Sequence, residues 1–304
     1  MIPQFPRFAP LARNDKQAIE QFTRAFPPYS DFTFPSLWCW NLEGRCELSQ
    51  LNDNLIVRMA DYLSNASLLS FIGHNDVASL VEVLLSALAN TPGHLPHLKL
   101  IPEHSLRQVD LGKGISIAED PDNHDYVYSV EEMVDLTGGR YAQHRWKINR
   151  FCNSISAQVV DLDLTKAAIW RNMEIVYRTW MSRKGEKNQE VENDIRALRR
   201  LQGGIEVMDY QAIGVEVGGR LAAYAIVEFN HDNFATNLFE HADVAYPGIY
   251  YFLRRHLAMR LRETGCTYLN HQQDLGIEGL RTSKRRNKPS FFLKKYTIYR
   301  AETK

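Results

Sequence analysis

The sequence predicts a mixed α/β (α+β) protein built as two similar halves, each a mixed central sheet flanked by helices. Three observations carry this. The elements of the second half fall in the order β-α-α-β-β-β-α-β-α-β, read from hydrophobic period and helix caps. Much of that order recurs in the first half, with matching elements about 170 residues apart, the signature of a duplicated domain. The chain of 304 residues is 44% hydrophobic and 24% charged, a composition that supports a buried core and excludes disordered or low-complexity character.

The second half reads most clearly. Residues 154–161 alternate as a strand, and 164–181 form a helix entered through Asp163. Residues 189–201 form a second helix with Ile195, Leu198 and Leu201 on one face. A hairpin follows, 212–217 and 221–229, around Gly218-Gly219, a pair suited to the positive φ of a tight turn. Residues 234–240 are a third strand, 248–262 an amphipathic helix ending near Gly265, and 267–270 a short strand. A short helix over 276–285 and a strand over 290–299 close the chain. In the first half, 14–25 is helical, 43–50 and 55–61 pair about Asn52-Asp53-Asn54, and 67–73 is a third strand. An amphipathic helix over 76–89 is capped by Asn75. Extended segments at 98–101, 115–118 and 126–129, with a short helix near 103–108, complete the set. Between the halves, Ser129 with Glu132 fits a capping box, and Thr137-Gly138-Gly139 breaks the run before a basic helix over 140–151. The domain boundary is placed here, giving 1–135 and 136–304.

Lys+Arg and Asp+Glu balance at 36 each, which excludes a protein that holds nucleic acid by bulk charge alone. Four cysteines, Cys39, Cys46, Cys152 and Cys266, form no CxxC and read as reduced thiols, neither a disulfide framework nor a zinc site. Residues 1–15 lack the apolar region of a secretory signal. The longest apolar stretches, near 77–88 and 221–229, fall short of the roughly 18 residues of a membrane span. A soluble, cytoplasmic protein is expected, with peripheral membrane contact as the alternative. His94 and His97 flank Pro96 in what reads as a loop, with no Cys or acid to complete a metal site. No GxSxG, GxGxxG or GxxxxGK[ST] pattern occurs, so hydrolase-elbow, Rossmann and P-loop readings fail. Trp170, Tyr177 and Trp180 share a helical spacing and read as core.

The element order is similar to the GNAT acyltransferase fold, and its tandem use resembles the FemABX and lipid aminoacyltransferase group. Three segments narrow the resemblance: Tyr126-Val127-Tyr128-Ser129 through Gly139-Arg140-Tyr141 to Arg150-Phe151; Phe239-Glu240-His241-Ala242-Asp243; and Asn270-His271-Gln272-Gln273-Asp274-Leu275-Gly276-Ile277-Glu278-Gly279-Leu280-Arg281 with Lys284. They resemble the DUF2156 family, whose relatives include the C-terminal catalytic domain of phosphatidylglycerol lysyltransferase. The resemblance implies transfer of an aminoacyl group from aminoacyl-tRNA to an amine or hydroxyl acceptor, with the second half carrying the cleft and the first a degenerate copy. Relatives that modify lipids carry a large membrane domain not found in these residues, so a soluble or peripherally presented acceptor is expected. His144 and Trp146 stand where the family pattern has Lys and Asn, His241 where it has Lys, and Gln272 where it has Glu. Each swap removes or softens a charge near the implied site.

Asp274 and Glu240 are the candidate catalytic carboxylates, because acyl transfer to an amine or hydroxyl needs a group to take the acceptor's proton. The plainer role for Asp274 is a cap on the helix that begins near Gly276. Arg281, Lys284, Arg145 and Lys147 are the candidate phosphate holders, and Asn270 and Tyr251 complete the substrate-binding set. From Arg281 to Lys295 the chain holds seven cations and no acid, suited to tRNA phosphates or an anionic lipid head group; a solvated helix end is the alternative. The helix over 140–151 interleaves its cations with Tyr141, Trp146 and Phe151, which can stack on exposed bases. Acetyl-CoA is disfavoured: residues 241–248 lack the glycine-rich loop that cradles a pyrophosphate at a helix start. No cofactor and no metal are expected. The competing readings are a non-catalytic binding protein for an anionic ligand or RNA, and a CoA-dependent N-acyltransferase.

Overall fold

The computed structural model describes residues 1–89, 93–184 and 189–301. In chain order the elements are β1 (Ala9–Pro10), α1 (Lys16–Thr23), α2 (Phe34–Trp40), β2 (Glu47–Leu51), β3 (Asn54–Ala60), β4 (Ser67–Ile72), α3 (Val77–Ala89), β5 (His94–Pro102), β6 (Ile115–Glu119) and β7 (Asp125–Ser129). There follow α4 (Val130–Asp135), α5 (Ala142–Ser154), β8 (Ala157–Asp161), α6 (Ala167–Lys184), α7 (Gln189–Gln202), β9 (Tyr210–Val217), β10 (Arg220–Phe229) and β11 (Phe234–Ala242). Last come α8 (Ile249–Glu263), β12 (Tyr268–Asn270), α9 (Glu278–Arg286), β13 (Phe291–Leu293) and β14 (Lys295–Arg300). They assemble into two units, one of Met1–Tyr126 with Gln272–Lys304 and the other of Val127–His271.

The first unit is built on a sheet of order β1-β2-β3-β4-β5-β14-β6. Strands β2, β3 and β4 form an antiparallel meander, β5 runs parallel to β4, and β14 runs antiparallel to β5. The intervening helix α3 buries Leu80, Val81, Leu84 and Leu88 against Phe71, Leu98 and Ile298, each such side chain contributing about 1.5–3 kcal/mol when fully removed from water.

The second unit repeats the pattern in the order β7-β12-β11-β10-β9-β8. Strands β8 to β11 are antiparallel, β12 is parallel to β11, and β7 is antiparallel to β12. Helix α8 lays Leu253, Leu257 and Leu261 on Ala223, Ala225 and Val227 of β10; the small alanines let the helix approach the sheet closely. Both units therefore carry a three-strand meander, a helix, a strand parallel to the last of the meander, and then an antiparallel neighbour. In the first unit that neighbour is β14, and in the second it is β7.

This arrangement departs from the expected division between 135 and 136. The carboxy-terminal strand pairs with β5 and β6, from Tyr296↔Ile101 to Arg300↔Ile115, so residues 272–304 return to the first unit. Helix α2 is short and aromatic-rich, and no helical period in the sequence marks it. The expected closing strand divides into β13 and β14. His94 and His97 lie in β5 and not in a loop. Pro96 falls where the β4–β5 register shifts between Ser67↔His94 and Leu69↔Leu98, so its missing N–H interrupts little of the ladder. Among the described residues no cluster of His, Cys, Asp or Glu could hold a metal ion, and no helix is long and apolar enough to cross a membrane.

Lys295, counted by sequence among the surface cations, is instead 0% exposed. Its ammonium pairs with Asp31, lies 2.7 Å from Asp125 Oδ1 and is 3.3 Å from Ser30 Oγ. Ser30 Oγ–H lies 2.6 Å from Asp125 Oδ1 and 2.7 Å from Gln273 Oε1, and Tyr62 donates to Asp31 at 3.0 Å. The cluster locks the start of β14 to the 30–31 turn, the start of β7 and the 272–276 loop. Lys295→Met would leave two buried carboxylates without their cation, and should lower unfolding free energy by about 3–5 kcal/mol, read as a drop in the urea midpoint.

Candidate functional site

The second unit opens where a strand loses a partner. Strand β11 pairs with β12 only at Phe234↔Tyr268, Ala235↔Leu269 and Thr236↔Asn270. Beyond that point β12 ends, while β11 runs on to Ala242. On the other side β11 stays paired with β10, but the register shifts between Ile226↔Phe239 and Val227↔Asn237, leaving Leu238 as an extra, bulged residue. A bulge bends and re-aims its strand, and here it falls beside the place where β12 departs. The result is a stretch of strand edge, from Asn237 onward, with no ladder to β12. The corresponding β3–β4 pairing of the first unit runs without a shift, and the end of β4 carries Phe71 and Ile72, both buried.

Each face of this stretch carries a buried ionisable side chain among the apolar Leu238, Phe239 and Ala242. Toward α8, the Glu240 side chain is 4% exposed and receives Arg254 Nε at 2.8 and 3.1 Å and Arg254 Nη2 at 2.7 Å, with His271 Nε2 at 3.5 Å. Burial would raise the Glu240 carboxyl, but Arg254 and His271 outweigh it and hold it at about 2. Tyr128 meets the His271 ring edge-on at 5.5 Å. Toward α6, His241 is ringed by Tyr177, Trp180 and Tyr224 at 4.7, 5.2 and 5.6 Å, with the Asp194 carboxylate of α7 at 3.6 Å. Asn270, paired in register with Thr236 and Val127, is fully buried at the mouth of the divergence.

Helix α5 packs against the start of α8. A Cβ on Gly248 would lie 2.5 Å from the Lys147 carbonyl oxygen, and Gly248 holds φ +100, so only glycine fits. Lys147 reaches back to Tyr251, 3.3 Å from its hydroxyl and 4.6 Å from its ring centre. His144 is wedged between Tyr141 and Tyr251. Arg145 donates to the carbonyls of Leu136 and Gly138, closing the end of α4, where Leu136 is left-handed at φ +51. The expected capping box is half formed: Ser129 accepts from the Glu132 N–H at 3.3 Å, while the Glu132 carboxylate accepts from Tyr141 at 3.1 Å.

The remaining predicted residues belong to the first unit. Asp274 is 0% exposed and accepts from Tyr126 (2.5 Å), Arg281 Nε (2.9 Å), Arg281 Nη2 (2.8 Å) and the Gly276 N–H (2.8 Å). Burial pushes its carboxyl up, and these donors more than reverse the shift, holding it below the usual range. Arg281 also pairs with Asp122 at 2.5 Å, and its guanidinium is held more firmly protonated by both acids. Lys284 is 8% exposed and donates to the carbonyls of Gln272 (3.1 Å) and Gln273 (2.7 Å). Asp274 and Arg281 are thus brought together, with Lys284 bracing the same loop, as a framework for residues 272–276. Glu240, Asn270, Tyr251, Arg145 and Lys147 lie in the other unit.

The sequence profile of the family described as phosphatidylglycerol lysyltransferase, C-terminal, matches residues 23–299. The chain belongs to that family. Solved structures share its fold. A conserved protein of unknown function from Bacteroides thetaiotaomicron superposes with a TM-score of 0.83 at 22% identity, covering 99% of this chain and 100% of that one. The C-terminal DUF2156 domain of a putative lysylphosphatidylglycerol synthetase from Agrobacterium fabrum gives 0.63 at 14% identity, over 94% of this chain and 92% of its own. L-PGS from Bacillus licheniformis gives 0.62 at 17%, over 100% and 95%. No curated protein matches the sequence.

In this member of the lysyltransferase family, sequence reasoning found Glu240 but missed Arg254 and His271, and found Asp274 but missed Tyr126 and Asp122. The ring of α6 aromatics about His241 was visible only as a helical spacing of core residues; Trp170 and Tyr177 are indeed buried. Glu240→Gln should lower stability by about 3–5 kcal/mol, because Arg254 would keep a buried charge without a counter-ion. Since the folded carboxyl is held at about 2 against an ordinary 4.5, the unfolded chain binds the extra proton. The stabilisation is therefore complete above about pH 4.5 and is lost as pH falls toward 2. Acid denaturation curves of the wild type and Glu240→Gln should converge there.

Proposed function

We propose that this chain transfers an aminoacyl group from aminoacyl-tRNA to an amine or hydroxyl acceptor, with the ester carbonyl seated beside the part of β11 that runs beyond its β12 ladder. The carrying observation is the coincidence of the β11 bulge with the end of the β12 ladder at Thr236↔Asn270, which re-aims the strand at the place where it parts from its neighbour. Family membership supports aminoacyl transfer as the reaction class. The polar lining of the second unit, against the apolar end of β4, supports placing the site there and reading the first unit as a degenerate copy of a duplicated domain.

In this reading the acceptor nitrogen or oxygen attacks the ester carbonyl, a new C–N or C–O bond forms, and the ribose oxygen of the tRNA leaves. Glu240 serves as a positioning group rather than a base, since it is saturated by donors and held at low basicity; Asp274, equally saturated, frames the 272–276 loop of the first unit. We assign the proton transfer to His271, which follows the last residue of β12 and is oriented by Glu240; it would take the acceptor's proton and return it to the leaving oxygen. Aminoacyl-tRNA is favoured over acyl-CoA because α8 begins under the Lys147 carbonyl, where a pyrophosphate would need open backbone N–H groups. The saturation of both carboxylates also favours a second reading, an RNA-binding protein without turnover.

Labelled amino acid should move from charged tRNA to a small-amine panel, and His271→Gln should reduce kcat roughly a hundredfold with KM little changed. Transfer indifferent to His271→Gln would remove its role, and RNA binding without transfer would establish the second reading. Acyl-CoA should leave Tm unmoved, since only a ligand of the native state raises it.

A further inference from the structure

We infer that the outer face of α5 is a docking site for single-stranded RNA, with Trp146 as the base-stacking platform and Arg150 as its cationic flank. The inference rests on the reading above for the identity of the donor and adds the surface that would hold it. Helical spacing places Tyr141, His144, Ile148 and Phe151 on one side of α5, and all are buried. Trp146 falls near the middle of the opposite side and is 56% exposed, the one exposed large hydrophobic side chain of the helix. The Arg150 guanidinium lies 5.4 Å from the Trp146 ring centre, so a cation–π pair is already formed at the surface.

Charge on this face is one-signed. No Asp or Glu occurs between Gly139 and Val160. Arg140 pairs with Glu132 at 3.6 Å, but Arg145, Lys147 and Arg150 have no carboxylate within ion-pair distance among the described residues; Arg145 and Lys147 are held by carbonyls and by Tyr251. In a chain of net charge zero this is a local positive surface, complementary to a polyanion. A single indole flanked by cations suits a nucleobase and its adjoining phosphates, because every base has a face to stack. It suits a bilayer poorly: an interfacial helix inserts a continuous apolar face, and that of α5 is spent on the protein core. Duplex RNA hides its base faces, which commits the proposal to an unpaired segment.

The test uses the full chain and an unacylated, fluorescently labelled RNA dodecamer, followed by anisotropy across a salt series. Trp146→Ala should weaken binding roughly tenfold and Trp146→Phe should restore most of it, since a ring suffices for stacking. Arg150→Gln should lower the slope of log K against log salt by about 0.7, one phosphate contact on a single strand. The same sequence as a duplex should bind without dependence on Trp146. Single-strand binding that is absent, or equal in Trp146→Ala and wild type, overturns the inference. So does a Trp146-dependent loss of binding to phosphatidylglycerol vesicles with RNA binding untouched. A chain that binds RNA through Trp146 yet transfers nothing refutes the transferase reading and keeps this one. A chain that transfers normally as Trp146→Ala refutes this one alone.

Discussion

A strand buried in a protein must satisfy the hydrogen-bonding groups on both its edges, and for β11 the β12 ladder does so only as far as Thr236. Past that residue its partner β12 has left, and side chains take over part of the task, as where the Ala242 N–H donates to the Tyr250 hydroxyl at 3.1 Å. The bulge at Leu238 belongs to the same event, because it re-aims the strand just as the ladder ends. Everything that makes the second unit a candidate site follows: Glu240 and His241 on opposite faces, Asn270 and His271 at the mouth. The first unit has the same strand pattern with a regular β3–β4 ladder and apolar residues at the matching position. Topology alone therefore does not single out the second unit; the irregularity and the buried Glu240 and His241 side chains do.

Charge in this protein is mostly spent on holding segments in place. Glu240 with Arg254, Asp274 with Arg281, and Lys295 with Asp31 and Asp125 are buried or largely buried pairs, and Asp31, Asp122 and Asp125 reach their cations from far along the chain. A carboxylate that accepts several charge-assisted hydrogen bonds is a weak base. Such an arrangement suits a reaction whose donor ester is already activated, where orientation and exclusion of water contribute more than a strong base would.

Helix α5 divides its residues by face. His144 and Lys147 join it to α8, Arg145 closes α4, and Trp146 with Arg150 turns outward. The residues where this chain departs from the family pattern, His144 and Trp146, are neighbours in number but have opposite fates: one ring is buried between two tyrosines, and the other is open to solvent. Two positions, about half a turn of helix, separate a packing substitution from a surface one.

Local elements are legible in the sequence, because period, caps and turn residues act over a few positions: the Gly218-Gly219 hairpin, the α8 amphipathic run and the motif around Asp274 all show. The sequence also shows Glu240 and Asp274 as unusual acids in strand-end and loop positions. Only the tertiary structure decided their partners. Arg254 and His271 reach Glu240, and Tyr126 reaches Asp274, through chain returns that leave no local trace. The same holds for β14, whose alternation reads as a strand but carries no mark of which sheet it joins. Pairing across a hundred or more residues is set by the packing of whole surfaces, and that is not written in any window of neighbouring residues.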